Sequence, residues 1–181
     1  MAGIVTGEGL HRELEVAAEA LGGEGPVYCV CVGTDRSTGD AFGPLVGSLL
    51  EQAGYPYVIG TLERPCDSDT LIERLKELPP QARVLAVDSA VGASVGYYQL
   101  SRGPLSPGRS MGKPLPKVGQ ASLFGIVCPN RANPYSALQT ASLHRVLGMA
   151  GEAARAILQA FGGGERIGSP LHTITDRNCQ E

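Results

Sequence analysis

The sequence predicts an α/β domain built on a largely parallel sheet, and three features predict it. Residues 27–32 and 83–87 are nearly continuous apolar runs, the composition of central strands covered on both faces. Between and around them lie runs with apolar side chains at helical spacing, giving the β-α-β-α-β alternation of a sheet with crossover helices. The first strand then enters a connection, residues 33–42, that holds two glycines, two carboxylates, an arginine and three hydroxyls. A plain strand-to-helix loop needs two to six residues and no such density of polar groups. A length of 181 residues with 43% hydrophobic content suits one substantial core rather than two. Residues 1–161 are read as a single domain, and 162–181, without apolar periodicity, as a flexible tail.

Taken in order, residues 8–21 place Leu10, Leu14, Ala17 and Leu21 on one helical face, with Gly22 and Gly23 as the stop. The strand at 26–33 follows, and its Cys29 and Cys31 read as core side chains. After the polar loop, Leu45, Val46, Leu49 and Leu50 mark a helix, and 55–61 reads as a shorter strand with Pro56 at its start. Thr70 and Glu73 form a capping-box pattern that opens a helix through Leu78. Cys66, in the loop before it, reads as an exposed thiol without a histidine partner. Residues 83–89 give a strand ending in Asp88. A further strand is expected at 95–101, then a Pro- and Gly-rich excursion through 119 whose Arg102, Arg109, Lys113 and Lys117 form a basic rim, then a strand at 121–128. One long helix over 136–161, opened by Ser136 and Gln139, closes the fold.

Bulk properties narrow the function classes. A formal charge of −3 and a pI near 5.6 give no reason to expect nucleic-acid binding. The opening residues carry neither a secretory signal nor a membrane span. Five cysteines without a CxxC pair predict a reducing, cytoplasmic setting. The polar loop is therefore the place for chemistry. Its ordinary alternative is a capped connection with Asp40 as N-cap and Pro44 in the first helical turn. Right-handed crossovers put the carboxyl ends of parallel strands on one edge, so if the strands at 26–33 and 83–89 are neighbours, Asp40 and Asp88 face one cleft. Arg36 reads as a tie to Asp35.

The segment Cys31-Val-Gly-Thr-Asp-Arg-Ser-Thr-Gly-Asp-Ala-Phe-Gly-Pro-Leu-Val-Gly47 resembles the signature of the YyaC family of sporulation proteases, with further matches at Gly60-Thr-Leu62, Val87-Asp-Ser89, Gly103-Pro-Leu-Ser-Pro-Gly108 and Leu115-Pro-Lys-Val-Gly119. That family is similar in turn to the spore germination protease and, more remotely, to hydrogenase-maturation endopeptidases. The resemblance implies a three-layer α/β/α sandwich with a mixed, mostly parallel sheet of about five strands. It implies a peptidase whose catalytic residues are Asp40 and Asp88, framed by a site loop of Gly33, Thr34, Asp35, Arg36, Ser37, Thr38 and Gly39. A protein or peptide substrate, such as a small spore protein, and self-association are further implications, with the cytoplasm of mother cell or forespore as the place. Two close carboxyls share a proton, so one serves as base toward water and the other as acid.

The maturation enzymes read a metal through two acids and a histidine, whereas residues 12–143 of this chain hold no histidine. No metal and no cofactor are therefore expected. Three rival readings remain in view. A phosphate cradle lacks the Gly-Lys-Ser/Thr and GxGxxG patterns. A serine or cysteine hydrolase lacks its elbow and partners. A protein with the protease fold but no activity would instead bind a partner through the basic 101–119 loop.

Overall fold

The computed structural model describes residues 3–108 and 115–162. Nearly all of the expected tail, and Arg109 and Lys113 of the basic excursion, lie outside the described residues. The elements are β1 (Gly3–Val5), a 3-10 turn (Gly7–Gly9), α1 (Leu10–Leu21), β2 (Val27–Cys31), α2 (Phe42–Gln52), β3 (Val58–Ile59), α3 (Leu71–Leu75), β4 (Arg83–Val91), β5 (Tyr98–Ser101), β6 (Ala121–Cys128), α4 (Pro134–Gln139) and α5 (Leu143–Phe161).

Six strands form one mixed sheet in the order β1-β5-β6-β4-β2-β3. The run β6-β4-β2-β3 is parallel, while β5 is antiparallel to both β6 and β1. Strand alternation splits the core by face. Cys29, Cys31, Leu85 and Val87 face α1, α2 and α5 in the larger cluster, which also holds Phe42, Val46, Tyr98 and Ile157. Val30, Val84 and Ala86 point the other way, against Leu71 of α3 and the Leu105 and Val118 pair. Helices thus cover both faces, the α/β/α arrangement.

Local chemistry accounts for the departures from the sequence reading. The sixth strand is β1, which only long-range pairing with β5 creates (Ile4 opposite Gln99). The strand expected at 55–61 contracts to Val58–Ile59, because Pro56 has no N–H for a ladder and the Tyr55 hydroxyl instead donates to the Val27 carbonyl at 2.7 Å. Thr70 holds the N-cap position of α3, as its place before Leu71 predicts, but makes no side-chain capping bond. Its hydroxyl accepts the Asp67 N–H and lies 3.0 Å from the Pro65 carbonyl, and the helix stops at Leu75. The expected long terminal helix is two. Asn133 caps α4 by accepting the Ser136 N–H at 3.1 Å, with Pro134 in the first turn, and Ser142 starts α5 by accepting the Arg145 N–H at 3.4 Å. No helix among the described residues is long and apolar enough to cross a membrane.

Candidate active site

β2 and β4 are parallel neighbours, in register from Val27 opposite Arg83 to Cys31 opposite Val87. One more bond, Val32 N–H to Val87 C=O at 2.7 Å, ends their pairing. Asp88 is the next residue along β4. It does not end its strand, as the sequence suggested; β4 continues to Val91 because β6 still pairs with it through Cys128. Asp88 therefore sits where β2 has peeled away and left one edge of β4 open. This is the switch point of the sheet, since the chain leaves β2 toward β3 on one side and returns to β4 on the other.

The 33–41 loop turns back sharply after β2. Gly33 adopts φ +143°, and a Cβ there would run into the Asp40 carbonyl, which accepts the Thr34 N–H at 3.2 Å. The Gly39 N–H donates to the Leu138 carbonyl at 2.8 Å, pinning the loop to α4. Asp40 is held between these two ties. It is not the N-cap of α2; that position belongs to Ala41, with no side-chain capping bond. The Asp40 carboxylate is thereby left to the cleft, at the positive end of the α2 dipole.

Asp40 and Asp88 both line a cleft of about 470 Å³, together with Val32, Gly33, Thr34, Arg36 and Ser37 from the loop. The Ser89 hydroxyl lies 3.5 Å from Asp40 Oδ1, at the long limit of a hydrogen bond, and the Ser89 N–H donates to Asp88 Oδ1 at 2.7 Å. Asp88 is half-buried, and desolvation pushes its carboxyl up to about 8; the Ser89 N–H opposes this and the Asp40 charge adds to it. Asp35 and Thr38 of the expected site loop do not line the cleft, and Gly39 is buried against Leu138. Ser37 is 6% exposed, with a buried hydroxyl that has no partner among the described residues.

Arg36 does not tie to Asp35. Its guanidinium reaches Asp67 Oδ2 at 2.9 Å and donates from Nε to Thr34 Oγ1 at 3.1 Å. Asp67, which the sequence reading passed over, lines the cleft opposite the loop. Its Oδ1 accepts the N–H groups of Asp69 (3.0 Å) and Thr70 (3.1 Å). Desolvation works to raise its carboxyl, but these bonds, the Thr70 hydroxyl and Arg36 hold it below its usual value. An aspartate two and three residues ahead of these amides is the signal that marks it.

Cys66 is fully buried, not exposed. It lies in a parallel bridge with Val32, its carbonyl accepts the Gly33 N–H at 3.1 Å, and desolvation pushes its thiol up to about 12. It is a structural neighbour of the loop. Cys29, Cys31 and Cys128 are buried core thiols. The described histidines, His11 and His144, do not line the cleft, whose charged and acidic groups among the described residues are carboxylates and Arg36. Among the described residues, no group of three or more His, Cys, Asp and Glu side chains is arranged to hold a metal ion.

A family model described as "Protein of unknown function (DUF1256)" matches residues 10–156. The chain belongs to this family. It is also 39% identical over 132 residues to "Uncharacterized protein YyaC" of Bacillus subtilis (strain 168), an alignment covering 69% of this chain and 64% of that protein. The chain thus spans just under two-thirds of the length of its curated relative. These matches support the YyaC family read from the loop motif. No solved structure matches the chain. Within the DUF1256 match lie the whole 33–41 loop, Asp67 and Asp88.

Proposed function

We propose that this DUF1256 chain is a sporulation-associated peptidase that hydrolyses a protein substrate with an Asp40 and Asp88 pair and a water molecule. The reaction class comes from the motif's similarity to the germination protease. The observation that supports it is that two carboxyls from distant segments open into one cleft at the sheet's switch point, where burial and the neighbouring Asp40 charge raise the Asp88 carboxyl toward its protonated form.

In this reading Asp40 is the base. It takes a proton from the water, whose oxygen attacks the amide carbon, while Asp88 gives its proton to the carbonyl oxygen. The resulting diol collapses: one hydroxyl returns its proton to Asp88, Asp40 passes its proton to the nitrogen, and the C–N bond breaks. Both aspartates end as they began, and no covalent intermediate forms. General acid and base assistance of this kind is worth roughly 10²–10⁴ each in rate.

The test is incubation of the purified protein with a spore extract and with isolated small spore proteins, beside Asp40→Asn and Asp88→Asn, with products read by mass spectrometry. Fragments made by the wild type alone support the pair. Fragments that persist in both variants overturn it, and an absence of cleavage with retained capture of an extract protein would favour a binding protein that uses the 101–119 region.

A further inference from the structure

Arg36 is the only basic side chain among the described residues that line the cleft, and its surroundings fix it there. Nε–H is engaged by Thr34 and one terminal N–H by Asp67. A guanidinium carries five N–H donors, so three remain for a ligand. The anchor is itself anchored: the Asp67 side chain is 15% exposed and accepts two backbone N–H groups through its other oxygen. Arg36 is 69% exposed, so its free edge meets solvent at the cleft mouth. An ordinary exposed arginine gives up side-chain entropy when it binds an anion; this one has already been ordered by two partners. The Asp40 charge, also on the cleft lining, disfavours a negative group beside it.

We infer that Arg36 is a specificity-determining residue that receives a carboxylate of the substrate, with Asp67 as the residue that positions it. The inference rests on the peptidase reading for the substrate's being a peptide. A carboxylate at Arg36 holds one end of that peptide at the mouth and leaves the chain to run toward Asp40 and Asp88. Two sources offer this group, an acidic side chain and a free C-terminus, and the experiment separates them.

The probes are N-acetyl-Ala-Glu-Ala-amide, N-acetyl-Ala-Gln-Ala-amide, N-acetyl-Ala-Ala with a free C-terminus and its amide, titrated into the full chain and followed by backbone amide NMR. The carboxylate member of one pair is expected to bind about fivefold or more tightly than its neutral partner, the scale of a charge-assisted bond near the surface. That pair names the source. In Arg36→Met the advantage disappears, and Arg36→Lys, which keeps the charge without the planar fork, restores only part of it. Asp67→Asn discriminates positioning from simple charge. It preserves the oxygen that holds the 67–70 turn and deletes a negative charge, so charge alone would strengthen carboxylate binding, whereas loss of positioning weakens it.

Equal binding of acidic and neutral probes by the wild type overturns the inference, as does a preference that survives in Arg36→Met. The two proposals fail separately. A carboxylate preference in a protein that cleaves nothing leaves Arg36 in place and removes the peptidase, while cleavage indifferent to carboxylates does the reverse.

Discussion

Replacing Asp88 by Asn should make the protein more stable, and more so as pH rises. The unfolded chain gives up this proton near 3.8, whereas the folded chain keeps it to about 8. Because the folded value is the higher one, the carboxyl's contribution to stability is complete below 3.8 and drains away as pH rises through about 8. Each pH unit in that window is worth up to about 1.4 kcal/mol, so the wild type forgoes roughly 4 kcal/mol between pH 4 and 7. Asn keeps an oxygen for the Ser89 N–H, which donates at 2.7 Å, and carries no charge to desolvate. Its own buried amide offsets part of the gain, leaving on the order of 3 kcal/mol at pH 7. Urea unfolding of both proteins at pH 5, 6, 7 and 8 measures this directly. The expected record is a gap that widens with pH and levels off above 8. A gap that is constant across the series, or a variant less stable at every pH, would refute the reasoning.

Three other outcomes follow from the same geometry. Under the proposed mechanism, peptide hydrolysis should fall as pH rises through about 8, where Asp88 would lose the proton that mechanism has it donate, as read from initial rates between pH 5 and 10. Gly33→Ala should cost on the order of 3 kcal/mol in thermal or urea unfolding, since φ +143° is a region for glycine and the Cβ meets the Asp40 carbonyl. Ser37→Ala should be neutral or stabilising by about 1 kcal/mol, because it removes a buried hydroxyl without a partner; a loss of stability would mean that Ser37 is engaged.

Much of the fold was legible because its central strands are local statements. Continuous apolar runs at 27–32 and 83–87 marked buried parallel strands, and crossover handedness carried Asp40 and Asp88 to one edge on the condition that these strands are neighbours, which their pairing meets. What escaped depends on contacts that no short window holds. β1 is three residues long and exists through β5, which lies more than ninety residues away. Cys66 reads as a loop thiol until Val32 pairs with it. The division of α4 from α5 was within reach, since Asn133 and Ser142 are both good caps; amphipathic spacing through 143–161 hid the break. Asp67 was missed for a related reason. Thr70 and Glu73 satisfy a capping-box pattern, and two competing local bonding schemes are decided by the wider packing around Arg36 and Pro65.

The coupling of Asp88 to Asp40 is tested most directly by carbon NMR of carboxyl-labelled aspartate across pH 3 to 10, in the wild type and in Asp40→Asn. Asp88 should titrate near 8 in the wild type and lower once the Asp40 charge is gone. If every aspartate titrates below pH 5, or if Asp88 is indifferent to its neighbour, the two carboxyls do not act as a pair.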